Sequence, residues 1–219
     1  MERVINVMGM VIKAEPVDEY DRKVTILTKD RGKIVAYASG ARRPKSQLAA
    51  ATNAFCFGNF KLVEYTNSYS LREANIMNFF EDMLTNLDAA VYGMYFLEIA
   101  DYYTRENSDE VNMLKLLYQS VTALGKEVLD RDLVKAIFEL KSIMINGEYP
   151  GPPKEEYKDS TYKAIDYMYE TLPEKIYSFM VSDEIKKELI KEADRVSAKT
   201  FDKQFTSLEI IKGFKSSEE

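Results

Sequence analysis

Eight basic side chains, Arg22, Lys23, Lys29, Arg31, Lys33, Arg42, Arg43 and Lys45, lie within one short stretch whose only acid is Asp30. Lysine and arginine at that density bind phosphates as paired charges and release condensed counterions, which places a nucleic-acid strand without reading its sequence. A solvated charged face is the bland alternative for any such run, and the near absence of acids favours phosphate. Tyr20, Tyr37 and Tyr65 are close by in sequence. An exposed ring among phosphate-binding cations gives a base something to stack on, whereas a ring folded inward is ordinary packing. Tyr37 and Tyr65 are the stacking candidates.

Other chemistry is poorly provided for. Asp18, Glu19 and Asp21 could hold a magnesium ion for a nuclease, since hard cations favour carboxylates. No second acidic cluster accompanies them, and turn capping or pairing with Arg22 or Arg42 accounts for them more simply. The chain has no histidine and one cysteine, Cys56, so a Cys/His zinc site, a Ser-His-Asp triad, a Cys-His dyad and a disulfide framework are all excluded. Cys56 between Phe55 and Phe57 reads as a small buried hydrophobe, and Gly32 and Gly40 read as turn residues. No phosphate-loop or dinucleotide fingerprint occurs. No catalytic residue, metal ligand or cofactor is assigned.

The elements that must position the basic stretch are short strands. Val4 to Val11 and Val24 to Thr28 are β-branched or apolar runs, and Asp30-Arg31-Gly32-Lys33 is a turn signal that should pair Val24–Lys29 with Lys33–Ser39 as a hairpin. Gly40 to Ser46 should be an exposed basic loop. Ala54 to Tyr65 supplies more strand, broken at Gly58-Asn59. Four or five strands in about 75 residues are too few for a two-sheet sandwich, and closure as a small barrel of OB type is the economical solution. From about Glu73 the period becomes helical: Phe79, Phe80, Met83, Leu84 and Leu87, then Val91 to Tyr103, Met113 to Leu124 and Asp132 to Ile145. Asn146-Gly147 stops the last of these. An irregular Pro/Gly segment follows, then helical spacing at Tyr162–Thr171 and Asp183–Val196, and a short last helix within Phe201–Phe214. The fold class is thus α+β: a five-stranded OB-fold barrel over residues 1–75, then a mostly α-helical domain over 76–219.

With 219 residues, 46% hydrophobic and 30% charged, the chain has the composition of a globular protein. Its net charge of -6 divides unevenly: residues 1–80 carry 12 basic and 8 acidic side chains, for +4, and the remainder carry 18 and 28, for -10. No run of about 18 apolar residues and no basic-then-apolar leader occurs, so a cytoplasmic protein without a membrane span is expected.

Residues 9 to 46 resemble the N-terminal domain of the bacterial recombination mediator RecO. The resemblance is carried by Gly9, Val11, Glu19, Asp21, Leu27-Thr28, Gly32-Lys33 and Gly40-Ala41-Arg42-Arg43 with Ser46, and it continues at Phe55, Gly58, Tyr95-Phe96-Leu97-Glu98 and Phe138-Glu139-Leu140. It implies DNA repair by recombination: binding of single- and double-stranded DNA, annealing of complementary strands, and action with RecR to load RecA on DNA coated by single-strand-binding protein. The implied location is the nucleoid. It also implies that the helical domain receives the acidic, apolar C-terminal tail of single-strand-binding protein, for which Lys115, Lys135 and Lys141 are possible rims. Many members carry a four-cysteine zinc insertion after the match of Gly147 and Pro150. Residues 147–181 replace it here, packing by Tyr157, Tyr162, Tyr167, Tyr169, Tyr177 and Phe179 or presenting an altered surface. Two other classes stay open: a scaffold whose basic face meets an acidic protein, and the nuclease on Asp18, Glu19 and Asp21.

Overall fold

The computed structural model describes residues 3–66, 68–126 and 128–216. Five strands come first: β1 (Arg3–Val17), β2 (Asp21–Thr28), β3 (Gly32–Ala38), β4 (Phe57–Glu64) and β5 (Tyr69–Asn78). Alternate residues turn inward, so Val24 and Ile26 of β2 and Ile34, Ala36 and Ala38 of β3 share one core with Phe60, Leu62 and Leu71. The strands close in the order β1-β2-β3-β5-β4. β1 is long enough to pair with β2 on one flank and β4 on the other. The ring is completed by a short parallel seam, Ala36↔Tyr69 and Tyr37↔Ser70. The hairpin forms in the expected register, from Thr28↔Gly32 to Arg22↔Ala38.

Three local expectations are corrected. Gly58-Asn59 does not break the fourth strand: a Cβ at Gly58 would lie 2.3 Å from the Asn75 carbonyl oxygen, so glycine here lets β5 cross closely instead of ending β4. The helical period does not begin at Glu73, because β5 runs to Asn78 and pairs with β4 as far as Phe57. The apolar stripe read from Phe79 to Leu87 is not one buried face, since Leu84 and Leu87 are 70% and 69% exposed. In addition, the one-turn helix α1 (Leu48–Ala51) fills the connection between β3 and β4.

The helices that follow are α2 (Asp82–Thr85), α3 (Leu87–Tyr103), α4 (Val111–Leu124), α5 (Arg131–Ile145), α6 (Asp159–Glu170), α7 (Asp183–Thr200) and α8 (Thr206–Ser216). The chain forms two compact units, Met1–Leu84 with Ala100–Leu114, and Thr85–Ile99 with Lys115–Glu219. In the second unit α5 is buried from Val134 to Met144, and its Phe138 stacks on Phe96 with ring centroids 4.2 Å apart. The buried charged side chains of α5 are paired. Lys135 lies 3.0 Å from Glu139, which also accepts a 2.6 Å hydrogen bond from the Tyr95 hydroxyl. Burial pushes the Glu139 carboxyl above its ordinary range, against the pull of Lys135.

Residues 149–157, within the stretch expected to replace a zinc insertion, are tied to α7 through Glu192. This fully buried carboxylate accepts from the hydroxyls of Tyr149 at 2.8 Å and Tyr157 at 3.0 Å, and from Arg195 Nε and Nη2 at 2.8 and 2.7 Å. Tyr162 donates to the Pro153 carbonyl, and Tyr167 meets Phe179 edge to face at 5.1 Å. Tyr169 turns to solvent instead.

Candidate nucleic-acid interface

The loop from Ser39 to Gln47 is fixed from beneath by the residues that precede and open β2. Asp21 accepts from the Gly40 amide at 2.7 Å and from the Ser39 hydroxyl at 3.2 Å. The Arg42 amide donates to the Tyr20 carbonyl at 2.8 Å, and its guanidinium reaches the carbonyls of Asp18 and Glu19, each at 3.3 Å. Ala41 is buried in the barrel core, which drives its neighbours outward. Arg42, Arg43 and Lys45 are all exposed as a result, with the Arg43 guanidinium 5.4 Å from the centroid of the exposed Tyr20 ring. Asp18, Glu19 and Asp21 therefore act as loop supports. Among the described residues no group of three or more acids, cysteines or histidines could hold a metal ion.

The outer faces of β2 and β3 adjoin this loop. Lys23 pairs across β2 and β3 with Tyr37, whose ring is 43% exposed, and Tyr37 pairs in turn with Ser70 on β5. Tyr65, 46% exposed, stands at the end of β4, where Arg72 Nη2 donates to its hydroxyl at 3.3 Å. Sequence reasoning misses Arg72 because β5 does not read as a strand, and its neighbourhood carries no basic run.

The eight basic residues do not form one patch. Those at the hairpin turn lie roughly 24 Å from the loop, the rise of seven strand residues. There Lys29 is exposed, but Arg31 and Lys33 are engaged: Arg31 lies 3.2 Å from Glu64, and Lys33 Nζ lies 2.7 Å from the Asp101 carboxylate. Partial burial works against the Arg31 charge, yet Tyr69 and Glu64 outweigh it and hold the guanidinium above its ordinary pKa. Gly32, at φ +63°, lets the turn approach the Arg105 carbonyl, which a Cβ would meet at 2.1 Å. Arg22 points the other way, into the base of the barrel, where Nη1 donates to Ala49 O at 3.2 Å, Thr52 Oγ1 at 3.0 Å and Asn53 Oδ1 at 2.8 Å. Lys23 is shared with Glu15 at 3.1 Å. Cys56 is buried, and burial pushes its thiol up to about 11.

In the helical unit the three candidate rims separate. Lys115 pairs with Glu174 at 2.6 Å and Lys141 donates to the Met168 carbonyl at 2.7 Å. Lys135, paired with Glu139 and with Asp194 at 3.4 Å, lines a cleft of about 550 Å³ together with both acids and with Phe201, Phe205, Leu208 and Lys203.

No helix of the described residues is long and apolar enough to cross a membrane. Residues 1–80 match the family description "Recombination protein O N terminal", and residues 84–151 match "Recombination protein O C terminal". The chain is 26% identical over 248 aligned positions to the DNA repair protein RecO of Clostridium novyi, covering 98% of this chain and 96% of that one. It is 27% identical over 238 positions to the RecO of Clostridium perfringens strain 13, covering 94% and 97%. To that of Acetivibrio thermocellus it is 27% identical over 237 positions, covering 93% and 94%. With a five-stranded OB-type domain, a helical region after it, and family matches over both, this chain belongs to the RecO family of DNA repair and recombination proteins.

Proposed function

We propose that the protein is a non-catalytic recombination mediator that binds single- and double-stranded DNA on the barrel and anneals complementary strands. The observation that carries this reading is the supported loop with Arg42, Arg43 and Lys45 exposed beside Tyr20, next to an outer strand face that bears Lys23 and Tyr37. An OB-type barrel presents its second and third strands and the adjoining loops to oligonucleotides. Lys29 extends the basic surface at the far end of the hairpin. Arg22, Arg31 and Lys33 support the surface through the barrel and do not reach for phosphate. Cations from one face neutralise the phosphates of two strands and lower their mutual repulsion, so that base pairing proceeds. The acidic remainder of the chain confines DNA to the barrel.

The partners implied by membership are RecR, the tail of single-strand-binding protein and, indirectly, RecA, acting in the cytoplasm on the nucleoid. In this cleft the exposed Lys203, beside the Phe205 ring, and the apolar wall of Phe201, Phe205 and Leu208 supply the cation and the apolar surface that an acidic, apolar tail requires.

The test is fluorescent single-stranded DNA binding across a salt series. Arg42→Ala/Arg43→Ala/Lys45→Ala should weaken binding and flatten the log-log salt slope by about 2, at roughly 0.7 for each phosphate that the loop no longer neutralises. Unchanged affinity and slope would move the DNA to another surface. Absence of binding by the wild-type protein would leave the protein-only scaffold.

A further inference from the structure

The outer face of the barrel keeps a carboxylate among its cations. Glu15 of β1 lies between two lysines: Lys13 Nζ is 3.2 Å from one carboxylate oxygen and Lys23 Nζ is 3.1 Å from the other. The two lysines together hold its carboxyl below the ordinary glutamate range, Lys23 contributing most. A bulge creates the arrangement. β1 shifts register against β2 between Val11 and Lys13. Val7 and Val11 before the shift, and Ala14 after it, all face the core. Without the extra residue Lys13 and Glu15 would point into the barrel; with it they stand outside, since a one-residue shift exchanges the two faces of a strand.

Glu15, Lys23 and Tyr37 are cross-strand neighbours on three adjacent strands, spaced by about 4.8 Å each. The row therefore runs anion, cation, exposed ring. Two oxygens of one anion, each facing its own ammonium group, is also how a backbone phosphate would be held. We infer that Lys13, Lys23 and Tyr37 form a one-nucleotide subsite for single-stranded DNA, and that Glu15 occupies its phosphate position as an internal competitor when no DNA is bound. The strand enters by displacing the Glu15 carboxylate, setting a phosphate between the two ammonium groups and a base over the Tyr37 ring. Exposed ion pairs of this kind are weak, so the displacement is within reach of a polyanion. Duplex DNA, whose bases are already stacked, gains only the interaction with phosphate. Glu15 thus sets affinity and favours single strands over duplex. The inference rests on the DNA-binding reading above.

The test compares Glu15→Gln with a matched control, Glu73→Gln, which removes the same charge from another exposed cross-strand pair, Lys61–Glu73 at 2.7 Å. Labelled oligo-dT is titrated across a salt series by fluorescence polarisation. Glu15→Gln should tighten binding about 5-fold at 0.1 M salt and steepen the log-log slope by about 0.7, as the one phosphate of the subsite becomes fully neutralised. Glu73→Gln should change neither, and in a Lys13→Ala/Lys23→Ala background the gain from Glu15→Gln should vanish. An unchanged affinity for Glu15→Gln, an equal gain for Glu73→Gln, or a gain that survives loss of both lysines would overturn the subsite. If the wild type binds and only the loop triple variant weakens it, the subsite alone fails. If no form binds DNA, the DNA-binding reading falls with it.

Discussion

Lys33→Ala separates a structural cation from a ligand-binding one. Lys33 reaches the Asp101 carboxylate at 2.7 Å and the backbone carbonyl of the same residue. Because the pair is partly exposed, its loss should cost about 1 to 2 kcal/mol in urea unfolding while leaving the salt slope of DNA binding unchanged. A flattened slope with undiminished stability would give Lys33 back to DNA. The sequence shows where basic residues gather but not their surroundings. The acid that engages Lys33 is 68 residues away, and the acceptors of Arg22 are 27 to 31 residues away. No local pattern announces such partners, so a uniform run of cations divides into engaged and exposed ones only once the fold is known. The stacking candidates differ in this respect: Tyr37 alternates with Ala36 and Ala38, and strand parity alone puts its ring outside.

The helices illustrate which elements announce themselves. α5 is capped by Asp130, which accepts the Leu133 amide at 3.0 Å and lies 2.9 Å from Lys186. Partial burial pushes the Asp130 carboxyl up, but Lys186 and the Leu133 amide outweigh it and hold it below the usual aspartate value. A depressed carboxyl stabilises the fold above its unfolded pKa of about 3.9 and loses that contribution as the pH falls through the lower folded value. Asp130→Ala should therefore cost about 1 kcal/mol at pH 7, with the gap to wild type narrowing below about pH 4 in urea titrations. α4 to α7 are legible from apolar period and stop signals such as Asn146-Gly147. α1, with four residues, is too short to show a period. β5 reads as helix from Glu73 because a bulge at Arg72 moves its inward positions from Tyr69 and Leu71 to Ala74 and Ile76, which breaks the alternation along the sequence.

For the whole chain, the absence of histidine and the single buried cysteine leave no soft ligand set to stabilise the fold, in contrast to family members with a zinc insertion. A chelator should leave the thermal unfolding midpoint unchanged, whereas Tyr157→Phe, which removes one donor to Glu192, should lower stability by about 1 kcal/mol. A large drop in midpoint with chelator would expose an unrecognised metal. The closed ring has a further consequence for recognition. Each strand is paired on both flanks, and where β3 begins, beyond the short seam with β5, the segment at Arg105–Asn107 takes the vacant flank: the Lys33 amide donates to the Arg105 carbonyl, and the Asn107 amide donates to the Arg31 carbonyl. The start of β3 thus offers no unzipped border on which an incoming polypeptide could lay down a further strand, which also guards that stretch against edge-to-edge self-association. Proteins that meet this part of β3 must be read by side chains and loops.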